Sequence, residues 1–190
     1  PTHFFFEGRW STFAEFVGVG VDHILGGADH LLFLLTIIVA AAGWRYWLGV
    51  VTSFTVAHSI TLALSSLGTV RLPAGIIEPG IAASIVLMAL LNLRRSDATS
   101  GRAAHARIAI VFACGLLHGF GFSSAIGSMA IDPGSQLATL AGFNVGIEIG
   151  QFLFLGGVVL VAMLGRRLVT TPLRFSLPQV ASVTAAVVGS

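Results

Sequence analysis

Runs of about twenty apolar residues, separated by short connections, constrain the fold of this chain more than any other feature. A helix of that length crosses the hydrocarbon core of a bilayer, and in lipid the backbone must satisfy its own hydrogen bonds. The sequence therefore predicts an all-α, polytopic membrane bundle of about six transmembrane helices. The predicted spans cover residues 16–42, 47–67, 74–93, 107–128 and 137–164, and a sixth begins near residue 177 and is cut short at residue 190.

Composition supports a membrane protein. Of the 190 residues 55% are hydrophobic and only 9% are charged, whereas a soluble domain carries about a quarter charged residues. Residues 1–15 mix aromatic and charged side chains, which is typical of a segment at the membrane interface. We therefore expect two parts, an interfacial segment over residues 1–15 and a transmembrane helical domain over residues 16–190.

The arginines predict the orientation of the bundle. The chain has ten arginines and no lysine, and eight of the arginines lie in the connections that alternate onto one side of the membrane. The other side carries only Arg9 and Arg71. Because cytoplasmic connections are enriched in positive charge, the amino terminus is expected outside. Arginines placed in short connections set orientation and do not indicate a nucleic-acid partner.

The first predicted span contains two carboxylates and two imidazoles. On one continuous helix a spacing of seven residues would place Asp22 above Asp29 and His23 above His30. An ionisable side chain near the middle of a membrane costs at least about 2.5 kcal/mol. These four groups are therefore expected to face protein, water or a bound ion.

Polar residues in the other spans fall at a similar depth and predict one shared site. Imidazoles and carboxylates with almost no thiolate are ligands for borderline divalent cations, namely nickel, cobalt, zinc or iron. Cys114 is expected to be a small buried hydrophobe, and His3 and His105 to face solvent. Further residues are predicted to act as secondary ligands or to line the access route: Asp22, His58, Glu78, Asn144 and Gln151.

Three functions remain open on these residues alone. The first is a secondary permease for a divalent metal ion, the second an intramembrane zinc-type metallohydrolase, and the third a non-catalytic proton-relay or accessory subunit. No nucleotide-binding motif is present. The expected partners are membrane lipids and the metal ion, without nucleic acid or nucleotide, and a homo-oligomer is left open.

Four motifs in order resemble the HupE/UreJ family of hydrogenase and urease accessory membrane proteins. They are His23-x5-Asp29-His30 followed by Leu31-Leu32-Phe33, then Phe54-Thr55-Val56-Ala57-His58-Ser59, Gly115-Leu116-Leu117-His118-Gly119-Phe120-Gly121-Phe122, and Phe143-Asn144-Val145-Gly146-Ile147-Glu148. The resemblance covers nearly all of residues 16–164. It implies a nickel or cobalt permease of the bacterial inner membrane, with a metal site formed by His23, Asp29, His30, His118 and Glu148.

Overall fold

A computed structural model describes residues 2–39, 44–66, 68–70, 72–93, 101–128 and 134–168. These residues contain helices and no strand, so the all-α fold is confirmed. The helices are α1 (Thr2–Gly26), α2 (Ala28–Val39), α3 (Trp44–Ser66), α4 (Ala74–Leu93), α5 (Gly101–Ser128) and α6 (Gln136–Leu168).

Helices α3 to α6 are each long and apolar enough to cross a membrane. The pair α1 and α2 makes a fifth span if the two helices are counted together. The predicted sixth span lies outside the described residues, and the side of the amino terminus stays a prediction. Helix α1 runs from Thr2 through the predicted interfacial segment without a break.

The first span is not the continuous helix that the sequence predicted. The axes of α1 and α2 differ by 72°, and the bend is located at Gly27. Backbone hydrogen bonds continue on both sides, because Gly27 N donates to His23 O and Leu31 N donates to Gly27 O, each at 3.1 Å. The predicted stacking of residues seven apart on one face is therefore wrong. The bend brings His23 and His30 together in another way.

Glycines allow two helix pairs to pack closely. Helix α1 packs along α6, where Gly20 and Gly146 face the partner backbone: a Cβ on Gly20 would overlap Phe143 O, and one on Gly146 would overlap Val17 O. Helix α3 packs along α5 in the same manner. Small residues allow the backbones of membrane helices to approach closely. Such packing matters because lipid provides no hydrophobic drive for helix association.

A buried arginine of α5 connects this helix with α4 and α2. Arg107 of α5 is only 6% exposed and donates hydrogen bonds to Asn92 Oδ1 at 2.6 Å and to Leu91 O at 2.9 Å, both on α4. Asn92 Nδ2 in turn donates to Thr36 O of α2 at 2.6 Å. The guanidinium therefore joins α2, α4 and α5 through neutral acceptors.

Candidate metal centre

Four imidazoles from four different helices meet inside the bundle. The ring centroid of His30 lies 4.5 Å from that of His23, 6.2 Å from that of His58 and 5.1 Å from that of His118. The rings of His23 and His58 are 5.7 Å apart. In the three-His group, formed by His23, His30 and His58, one ligand atom of each residue lies within 4.8 Å of the other two. This group has the composition and spacing of a metal site.

Most ring nitrogens of the cluster are buried and have no hydrogen-bond partner among the described residues. Six of them make no hydrogen bond to any described residue: His23 Nε2, both nitrogens of His30, both nitrogens of His58, and His118 Nδ1. Leaving a buried polar group unpaired costs about 1–3 kcal/mol. Several such groups at one place indicate a site built for something other than stability, and a cation would satisfy their lone pairs.

Two helix features bring the imidazoles together. At the bend, a Cβ on Gly27 would lie 2.6 Å from His30 Nδ1 and 2.9 Å from His23 O, so only glycine leaves room for the His30 ring. Between α3 and α5, a Cβ on Gly119 would lie 2.6 Å from His58 O and would also overlap Thr61 Oγ1. The missing side chain at position 119 therefore lets α3 approach α5 closely, beside His118.

Phenylalanines border the cluster at two ends. Next to His23, the rings of Phe122 and Phe143 stack at 4.9 Å, and their centroids lie 4.1 Å and 5.4 Å from the His23 ring. Next to His118, Phe33 and Phe54 lie at 5.3 Å and 5.2 Å. His23 remains partly exposed, whereas His58 and His118 are almost fully buried. The least buried part of the cluster is therefore the His23 end.

The acids predicted for the site do not join the imidazoles. Asp22 and Asp29 are exposed, although each precedes a clustered histidine in sequence, because neighbouring positions on a helix point about 100° apart. Glu78 is also exposed, near the start of α4. In this structure the three-His group therefore contains no carboxylate. The ligand role of Asp29 stays a prediction.

Glu148 belongs to a second polar feature, the α3–α6 polar seam. Thr52 Oγ1 donates to Glu148 Oε1 at 3.0 Å, and Thr55 Oγ1 donates to Gln151 Oε1 at 2.9 Å. Ser59 Oγ donates to Asn144 Oδ1 at 2.5 Å. The seam consists of these six residues: Thr52, Thr55, Ser59, Asn144, Glu148 and Gln151. It holds α3 against α6 and so orients His58, the neighbour of Ser59.

The remaining residues predicted from the sequence are His3, His105 and Cys114, of which the Cys114 thiol contacts Ser84 beside His118. His105 is exposed and its Nδ1 contacts Gly101 O at 2.8 Å, whereas the side chain of His3 lies outside the described residues. Cys114 is a free, buried thiol on α5. Among the residues not singled out from the sequence is Ser84, whose Oγ lies 3.3 Å from His118 Nε2. A hydroxyl in the otherwise apolar middle of α4 was the signal available for it.

Helices long and apolar enough to cross a bilayer, enclosing a cluster of unpaired imidazoles, define a polytopic membrane protein with a candidate metal site. The family model described as HupE / UreJ protein matches residues 2–190. The chain therefore belongs to the HupE/UreJ family, as its motifs indicated. Members of this family are associated with accessory or transport roles for nickel or cobalt. Neither the curated proteins nor the solved structures gave a significant match.

Proposed function

We propose that this chain is a secondary permease of the bacterial inner membrane that moves a divalent transition-metal ion, nickel or cobalt, through the imidazole cluster. The observation that carries the proposal is the set of six buried ring nitrogens that have no hydrogen-bond partner among the described residues. Neutral imidazole is a good ligand for nickel, cobalt and zinc and a poor one for magnesium and calcium. The cluster is thus suited to select a borderline metal from the more abundant hard cations.

An access route and a driving force complete the proposal. The ion reaches the cluster beside the partly exposed His23, and the exposed Asp22 and Asp29 near the α1–α2 bend attract cations to that end. With the amino terminus outside, inward movement follows the membrane potential. A dication crossing about 100 mV gains about 4.6 kcal/mol, twice the value for a single charge. Uptake then needs no nucleotide hydrolysis by this chain.

The α3–α6 polar seam supplies the remaining polar contacts of the pathway. Glu148 accepts a hydrogen bond only from the hydroxyl of Thr52 among the described residues, so its carboxylate has no neutralising cation there. We assign to Glu148 a role in attracting or passing the ion, and to Asn144 and Gln151 a role in holding α3. Glu148 belongs to the ligand set that the family resemblance implies, and Asn144 and Gln151 are among the predicted secondary residues.

Uptake into proteoliposomes tests the proposal directly. Vesicles containing the purified protein and an entrapped metal-sensitive dye are given nickel, cobalt, zinc or magnesium under an inside-negative potential. The parent is expected to admit nickel or cobalt and to exclude magnesium. The His30→Ala variant is expected to lose this uptake, while His105→Ala, which removes an exposed histidine, retains it. Equal uptake by the parent and by His30→Ala would refute the proposal.

A further inference from the structure

His118 lies beside the three-His group but is not part of it. Its ring centroid is 5.1 Å from that of His30, yet only His23, His30 and His58 have ligand atoms that are all within 4.8 Å of one another. The His118 ring is 1% exposed and so is buried like that of His58, whereas His23 on the other side of His30 is partly open. A single tetrahedral site formed by all four imidazoles would place their ligand atoms at similar mutual distances. The observed arrangement is three plus one.

The hydrogen bonds of Ser84 determine which nitrogen of His118 can bind an ion. Ser84 Oγ lies 2.7 Å from Ile81 O, and because a carbonyl oxygen only accepts, the hydroxyl proton is donated there. Because the contact with Ile81 O is the shorter one and takes the single hydroxyl proton, the 3.3 Å contact with His118 Nε2 favours donation by the nitrogen. His118 therefore carries its proton on Nε2 and its lone pair on Nδ1. That Nδ1 atom is buried and has no hydrogen-bond partner among the described residues.

His30 connects the two parts of the cluster. Its ring lies 4.5 Å from His23 on one side and 5.1 Å from His118 on the other. Both of its nitrogens are buried and unpaired within the described part of the chain. An imidazole in this location can be a ligand to an ion in the three-His group or to an ion beside His118.

Resting on the function proposed above, we propose that a metal ion occupies two positions in turn. The first, the three-His position, is formed by His23, His30 and His58. The second, the His118 position, is formed by His118 Nδ1 and His30. The two positions share His30, so two dications would lie close together and repel each other strongly. The positions are therefore filled alternately. The ion is bound first at the more accessible position and is passed by His30 to the buried one, while Ser84 holds His118 in the tautomer that receives it.

Binding and transport are expected to respond differently to the two positions. Equilibrium binding of cobalt, measured by calorimetry on protein in detergent, reports mainly the three-His position. Flux of cobalt into proteoliposomes requires both. The His58→Gln variant is expected to lose at least about tenfold in both affinity and flux. The His118→Gln variant, whose amide can still bond to Ser84, is expected to bind cobalt like the parent and to lose at least about tenfold in flux.

Two further variants make the test independent of folding defects. Ser84→Ala leaves all four imidazoles in place but frees the tautomer of His118, so flux is expected to fall while binding is unchanged. His105→Gln is the matched control, because this histidine is exposed on α5, and it is expected to resemble the parent in both assays. Each variant is first compared with the parent by size-exclusion elution in detergent.

The outcomes separate this inference from the proposed function. If His118→Gln loses as much cobalt affinity as His58→Gln, the four imidazoles form one site and the two-position scheme is wrong, although a metal permease remains. If flux is unchanged in both His118→Gln and Ser84→Ala, His118 is not on the pathway and the scheme is again wrong. If the parent neither binds nor transports cobalt or nickel, the proposed function itself fails, and the scheme fails with it.

Discussion

Replacing His58 with leucine is expected to stabilise the metal-free protein. His58 is fully buried, and neither of its ring nitrogens has a hydrogen-bond partner among the described residues. A neutral imidazole contains one N–H donor and one acceptor, and each costs about 1–3 kcal/mol when buried and unpaired. A hydrophobic replacement of similar volume costs less than about 1.5 kcal/mol in packing. The free energy of unfolding should therefore rise by about 1–3 kcal/mol, since the unfolded chain in detergent also finds some partners.

The same substitution is expected to reduce stabilisation by metal. A ligand at about 100 times its Kd stabilises the native state by about 2.7 kcal/mol. Thermal unfolding followed by tryptophan fluorescence, with and without cobalt, measures both effects. His58→Leu should unfold at a higher temperature than the metal-free parent and should be stabilised by cobalt less than the parent is. The exposed His105→Leu should behave as the parent does. A metal-free His58→Leu protein that is less stable than the parent would refute the reasoning that these nitrogens are unsatisfied.

Three further perturbations test other parts of the structure. Gly27→Ala is expected to displace the His30 ring and to weaken cobalt binding by at least about tenfold in calorimetry. Its control, Gly26→Ala, places the added methyl in open space and should bind cobalt normally. Equal binding by both variants would contradict the role of the bend. Asn92→Leu removes a hydrogen-bond acceptor from the buried Arg107 and should lower the free energy of unfolding by about 1.5–3 kcal/mol. An unchanged denaturation midpoint would show that the guanidinium finds another hydrogen-bond acceptor. Cobalt affinity should fall only once the pH is low enough to protonate these buried imidazoles, because protonated imidazole has no lone pair for a metal. An affinity that stays constant down to the pH at which the protein unfolds would argue against imidazole ligands.

The membrane class and the meeting of the histidines could be predicted from the sequence because they depend on simple physical rules. Apolar runs of bilayer length must be helices. Imidazoles within those runs must avoid lipid, so residues such as His30 and His118 were expected at one interior location. The structure places them there, together with His58, which the sequence suggested only as a secondary residue.

The bend and the placement of the acids could not be predicted in this way. Helical periodicity assumes a straight helix, and a glycine pair such as Gly26 and Gly27 does not reveal whether the helix continues or turns. Once the axis bends by 72°, the faces before and after Gly27 no longer correspond. Asp29 is then exposed while its neighbour His30 is buried. Likewise, the spacing of Glu148 did not show that its carboxylate would meet Thr52 of another helix.

Retention of the bound metal distinguishes transport from resident-metal catalysis at the three-His group. A dication bound by three neutral imidazoles keeps its full charge, and removing an ion from water costs several kcal/mol even after the protein relaxes. Three neutral imidazoles nevertheless hold a resident catalytic zinc in some enzymes, and the acids of the described residues lie outside the three-His group. A transport site must bind strongly enough to admit the ion and weakly enough to release it. Bound cobalt should therefore be removed by dialysis against a chelator and restored by adding the metal; stoichiometric metal that survives such dialysis would instead favour the intramembrane metallohydrolase.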